Sequence, residues 1–161
     1  MFKKTSAALA ITCCVLAAPS WAGTAAGAFN VGVTLTPKCE INSTDGATGA
    51  VITDLPLTYT SFQTGVSAGH TSFGVKCTNS QSYSLSLDSA SVTDGTTGLA
   101  YTLNLSTANT ASTTANATVS GQSGTGNTAI TYHVNANMIA GQDGTVTAGT
   151  ANNVRTLTVT Y

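Results

Sequence analysis

Charge is scarce in this sequence: five basic and six acidic residues serve 161 positions. A chain so poor in Lys and Arg offers no basic stripe to follow a phosphate backbone, which argues against nucleic acid as a partner. It also lacks the blocks of like charge that keep a disordered chain solvated. Tryptophan occurs once, as Trp21, so the body of the chain has no indole platform on which a sugar could stack. Its longest apolar run, near the amino terminus, is too short to span a bilayer. What is plentiful is Thr, Ser, Asn, Ala and Gly, with Val and Tyr at regular intervals. That mixture favours strands and turns over helices.

Residues 1–22 read as a secretory leader. Lys3 and Lys4 give a positive start, Ala7 to Ala18 an apolar core, and Ser20-Trp21-Ala22 a small-x-small cleavage site. Cys13 and Cys14 lie inside the core and raise the question of a lipid anchor, but Thr12 and Cys13 are poorly suited to precede one. A mature chain starting near Gly23 keeps 139 of the 161 residues, enough for one domain with one core. Three basic residues (Lys38, Lys76, Arg155) then stand against six acidic ones (Glu40, Asp45, Asp54, Asp88, Asp94, Asp143), a net charge of −3.

Two cysteines, Cys39 and Cys77, remain after cleavage. In an exported chain such a pair generally forms a disulfide, which by loop closure would stabilise the fold by about 4 kcal/mol. Two separate buried thiols are the alternative. No CxxC or His pair at ligand spacing accompanies them, so a metal site is not expected.

Alternation of apolar and polar residues, the signature of a half-buried strand, recurs along the chain. It begins with Phe29, Val31, Val33 and Leu35 and ends before Pro37 and Cys39. Asn42 to Gly49 reads as a loop. Leu55, Leu57 and Tyr59 alternate within 51–59, where Pro56 removes a ladder donor and predicts an edge or interrupted strand. Phe73, Val75 and Cys77 follow, aiming Cys77 into the core toward Cys39; then Tyr83, Leu85 and Leu87. Asp94-Gly95 marks a turn, and Leu99, Tyr101, Leu103 and Leu105 make the longest regular run. Residues 106–128 are of low complexity, predicting one weak strand over 115–120 and a loop over Gly121 to Gly126. Ile130, Tyr132 and Val134 resume the alternation, which Met138 and Ile139 extend. Leu157, Val159 and Tyr161 close it.

About seven strands joined by polar turns predict an all-β, antiparallel sandwich of immunoglobulin-like type. The stretch 29–35 admits two readings. Periodicity alone favours the first strand of the chain's own sandwich. Alternatively, it is a free arm that completes a neighbour's sheet beside the terminal strand, whose edge nothing downstream is expected to cover. An open edge and a free strand on every molecule make a head-to-tail contact that does not close, and such a contact builds a filament.

These residues resemble the spore-coat-protein-U-like pilins, subunits of archaic (Csu-type) chaperone–usher pili. The resemblance covers most of the mature chain. It rests on the alternating arm before the first cysteine (F-N-V-G-V-T-L-T-P-K-C), on F-G-V-K-C followed by Y-S-L-S-L-D, on L-A-Y-T-L-N-L, and on the tail from Met138 to Tyr161. The chain departs from the family pattern at Asn152-Asn153, where Tyr-x-Asp is common, and at Ile139-Ala140, where a Pro is missing. The resemblance implies a signal peptide at 1–22, a donor-strand arm at 23–36 and an incomplete sandwich at 37–161, completed by donor-strand exchange. It carries the donor positions to Phe29, Val31, Val33 and Leu35, the disulfide to Cys39 and Cys77, and the acceptor edge to Leu157, Val159 and Tyr161. The implied partners are other pilin subunits, a periplasmic chaperone and an outer-membrane usher. The implied location is the cell surface, reached through the periplasm, in a fibre serving attachment and biofilm formation.

An enzyme is not expected, nor a cofactor. His133 falls on the polar side of its strand and His70 in a Gly-rich stretch. Nothing in the pattern brings Asp54 and Asp88 together as a carboxylate pair. No G-x-S-x-G elbow, HExxH or Cys–His motif is present, and Gly121 to Gly126 lacks the Lys and helix of a phosphate loop. A secreted spore or outer-coat protein and a monomeric carbohydrate-binding sandwich are the alternative readings. Sequons at Asn42, Asn104 and Asn116 are read as incidental behind a bacterial-looking leader.

Overall fold

The fold comes from a computed structural model that describes residues 26–42, 44–45, 51–145, 149 and 151–161. The leader expected at 1–22 and most of the loop expected at 42–49 lie outside the described residues. The chain divides into two units, the second running from Leu35 to Tyr161. Within the first, residues 26–34 carry neither strand nor helix.

The second unit is an immunoglobulin-like antiparallel β-sandwich with no helix among its described residues. Its strands are β1 (Cys39–Ile41), β2 (Thr44–Asp45), β3 (Ser67–Cys77), β4 (Ser82–Leu87), β5 (Ser91–Thr93), β6 (Ala100–Ser106), β7 (Thr118–Ser123), β8 (Ile130–Met138) and β9 (Leu157–Thr160). Among the described residues six form one sheet in the order β2-β1-β3-β8-β6-β5, and three form the other, β7-β4-β9.

The alternation in the sequence decides which faces meet. Phe73, Val75 and Cys77 of β3, Leu103 and Leu105 of β6, and Tyr132 and Val134 of β8 are buried against Tyr83, Leu85 and Leu87 of β4. The polar residues between them face outward. Cys39 and Cys77 stand opposite each other in the β1–β3 register and are joined as a disulfide. The bridge closes a separation of 38 residues.

Three expectations are revised. No strand forms over 51–59, although Ile52, Leu55 and Leu57 still pack on the core; Pro56 cannot donate to a ladder, and the segment is held another way. The weak strand lies at Thr118–Ser123 and so runs through Gly121, which sits at φ +67 where the β4–β7 register shifts. A glycine in that conformation lets one strand carry an extra residue without breaking the pairing. Thr44 and Asp45 fold back on β1 as a short strand inside the expected loop.

The outer face of β8 is also closed. Asn135 and Asn137 are buried there, donating to the carbonyl oxygens of Ala108 and Ser112, while Asn104 donates to that of Thr114. The low-complexity stretch thus supplies carbonyl acceptors to amide side chains that would otherwise be buried without partners.

Candidate functional site

Phe29, Val31 and Val33 are 84%, 73% and 87% exposed, and Leu35, which opens the second unit, is 73% exposed. Residues 26–38 form no strand. Four large apolar side chains at strand spacing therefore stand in water, an arrangement that marks an interaction surface more often than an idle one.

Within the sandwich the site is built on β9. It pairs with β4 through Leu87↔Leu157, Leu85↔Val159 and Ser84↔Thr160, and it ends the order of the three-stranded sheet. Leu157 and Val159 turn inward and are half-buried; Thr158 and Thr160 are exposed. Tyr161 lies beyond the strand and is 57% exposed. The entry to β9 is fixed by an Asp88 N–H bond to the Thr156 carbonyl (3.0 Å) and by Arg155 beside Asp88 (3.6 Å). One edge of β9 has no strand partner among the described residues, so the backbone groups on that side can accept another strand.

The second component is the segment 51–60. It crosses the inner face of β3, where a side chain in place of Gly69 would meet Leu55, Pro56 and Leu57. The hydroxyls of Thr71 and Ser67 donate to the carbonyl oxygens of Thr53 (2.8 Å) and Thr58 (2.6 Å). Side-chain bonds thus replace a ladder, and the segment belongs to the smaller layer without pairing as one of its strands. Among the described residues that layer holds three strands against six. Ile52, Leu55 and Leu57, like Leu157 and Val159, are only partly buried.

Polar anchors hold these parts. The Gln142 side chain accepts from the Ala100 N–H (2.6 Å) and donates to the Ala100 and Ile139 carbonyls; its backbone N–H donates to the Tyr59 hydroxyl and its carbonyl accepts from the Phe62 N–H. Asp94 is buried and accepts from the Thr97 hydroxyl and N–H, the Asn153 amide and the Thr96 N–H; these bonds, in that order, hold it down at about 2 from its ordinary 3.8. Asn153 thereby ties the approach to β9 to the β5–β6 turn. Glu40 sits between Lys38 (2.8 Å) and Lys76 (2.9 Å), which lower its pKa, Lys38 most. In the core the Tyr83 hydroxyl meets that of Tyr132, which donates to Gln122. Burial first, and then the Tyr83 bond, push the Tyr132 phenol up.

The residues singled out from sequence fall apart by place. His70 stands opposite Asn135 and His133 opposite Ser72 on neighbouring strands, and the buried His133 Nδ1 has no hydrogen-bond partner. Asp54 lies in the segment 51–60, whereas Asp88 is beside Arg155. Gln142 and Asp94 gave little signal as anchors. The Asp94-Gly95 turn was readable, but its tie to Asn153 spans 59 residues.

No protein-family model matches the chain, and no curated protein matches it.

Proposed function

We propose that this chain is a structural subunit of a surface fibre, an archaic chaperone–usher pilus of the spore-coat-protein-U-like kind, which polymerises by donor-strand complementation. One observation carries the reading: each molecule has an alternating apolar stretch at 29–35 that forms no ladder, and a strand edge at β9 that has no partner among the described residues. The arm of one copy, laid along β9 of another, would convert both into buried structure.

Phe29, Val31, Val33 and Leu35 are the inserted side chains. Leu157 and Val159, with Ile52, Leu55 and Leu57 of the segment 51–60, line the receiving surface; Tyr161 continues the acceptor edge. Burying four such side chains contributes on the order of 6–12 kcal/mol, and backbone ladder bonds add to it. Lost rotational and translational freedom offsets roughly 4–15 kcal/mol in any such association, so a periplasmic chaperone that lends a strand, and an outer-membrane usher that exchanges it, fit the subunit's need. Because arm and edge are different surfaces, the contact is heterologous and propagates. The fibre would stand on the cell surface and serve attachment and biofilm formation.

The test is to supply the arm in cis. A copy of residues 23–36 placed behind Tyr161 through a flexible linker, in a chain lacking its own amino-terminal arm, should give a monomer that melts at higher temperature than the arm-less chain. Equal melting temperatures would count against the reading.

A further inference from the structure

We infer that the end of the sandwich bearing Phe62, Val66 and Ile139 is the seat on which the base of the next copy rests. This deepens the donor-strand reading and depends on it.

Three exposed apolar side chains gather at this end. The β3–β8 ladder stops at the pair Ser67↔Met138; Val66 and Ile139 are the next residue on each side, 58% and 57% exposed. Phe62, 72% exposed, is fastened to the loop that follows. Its N–H donates to the Gln142 carbonyl, and the Gly141 N–H donates to that of Gln63. The Ser61 hydroxyl reaches the Asp143 carbonyl (2.7 Å). Phe62 has φ +62, a left-handed conformation that bulky residues avoid. An unfavourable backbone conformation that leaves an aromatic ring in water calls for a use of that ring.

Strand direction says what arrives there. The chain enters the sandwich at Lys38 and Cys39, at the opposite end, beside the turn that joins β3 to β4 and next to Gly124 and Gly126. β9 runs away from the seat side, from the pair Leu157↔Leu87, toward that base, where Thr160 pairs with Ser84. All pairings between named strands in the fold are antiparallel. An arm laid antiparallel to β9 therefore runs away from the base and delivers Leu35 on the seat side. Only Thr36, Pro37 and Lys38 separate Leu35 from Cys39, a reach of at most about 14 Å. The next sandwich therefore begins on that side, where Phe62, Val66 and Ile139 stand exposed. A parallel arm would emerge at the base, from which the copy's own arm already departs. One end would then carry two neighbours and the other none.

The chemistry of the arriving surface suits the seat. Pro37 cannot continue a ladder, because it has no N–H, and it brings an apolar ring to the junction. The aliphatic stem of Lys38 follows it, its ammonium held by Glu40.

The experiment uses the mature chain from Gly23 with Phe62→p-benzoylphenylalanine, assembled as an equal mixture of 14N and 15N protein, irradiated, and mapped by mass spectrometry. Isotope-mixed cross-links from position 62 to the segment 36–38 or the turn 78–81 are expected, with their loss when residues 23–36 are deleted. Detergent-resistant oligomers whose position 62 captures other segments, or nothing, would overturn the seat and leave donor-strand exchange standing. Absence of such oligomers from the unsubstituted chain would overturn both. A second chain, Phe62→Asn with Val66→Thr and Ile139→Thr, should still form the oligomers, because its arm and β9 are intact. It should also lose the cross-links from a benzophenone placed instead at Asn79, at the base, to the seat of a neighbour; their full retention would contradict the inference.

Discussion

At the scale of single residues, Asp94 contributes to stability through partners both near and far in sequence. Asp94 stays ionised to lower pH in the folded chain than in the unfolded one, since its oxygens accept from Thr97, Asn153 and Thr96. Protonation therefore favours unfolding: the contribution is complete above about pH 4 and is lost as the pH falls toward 2. Melting temperature against pH should fall across that window, and Asp94→Asn should flatten this part of the curve while lowering stability near neutrality. Phe62 gives the opposite case. Asn accepts a left-handed backbone more readily than Phe, and little burial is lost at a side chain 72% exposed. Phe62→Asn should therefore stabilise the sandwich by roughly 0.5–1 kcal/mol, read as a rise in urea midpoint. Such a gain is what a residue kept for contact rather than for folding would give.

At the scale of elements, alternation was a reliable guide wherever both the inward residues and the ladder were present. Tyr83, Leu85 and Leu87, Leu103 and Leu105, and Tyr132 and Val134 all enter the core as their spacing requires. It misled at 51–59, where Leu55 and Leu57 face the core but Pro56 and side-chain bonds from Thr71 and Ser67 replace a ladder. Periodicity reports burial of a face, not pairing of a backbone. Residues 106–117 had almost no apolar signal, because their role is to present carbonyl oxygens to Asn104, Asn135 and Asn137. Composition also hid the closeness of the β7 end to the β3–β4 turn: a side chain at Gly124 would collide with the Thr78 carbonyl. Gly124→Ala should destabilise by about 1–3 kcal/mol, through forced backbone displacement, measured by chemical denaturation. Removing the Cys39–Cys77 bridge by the double Ser substitution should cost about 4 kcal/mol in the loop-closure account, with the β1–β3 end of the sheet most affected.

At the scale of the whole molecule, the six-against-three division of strands among the described residues leaves β9 as an edge with half-buried Leu157 and Val159, while 29–35 remains an unladdered apolar strand sequence. The fold class and the inward faces were legible because they follow from local alternation. The anchors around Gln142, the tie from Asp94 to Asn153 and the exposed seat at Phe62 were not, because they depend on which ends the topology brings together. The central claim, that the arm of one copy completes the sheet of another, is tested most directly by size. Two forms of the chain, one starting at Gly23 and one starting at Pro37, are compared on an unboiled denaturing gel and by light scattering. A ladder of detergent-resistant oligomers that disappears with the deletion is the predicted result. A monomer from the chain starting at Gly23 that unfolds when residues 23–36 are removed would contradict the claim, since that stretch would then be the first strand of its own sandwich.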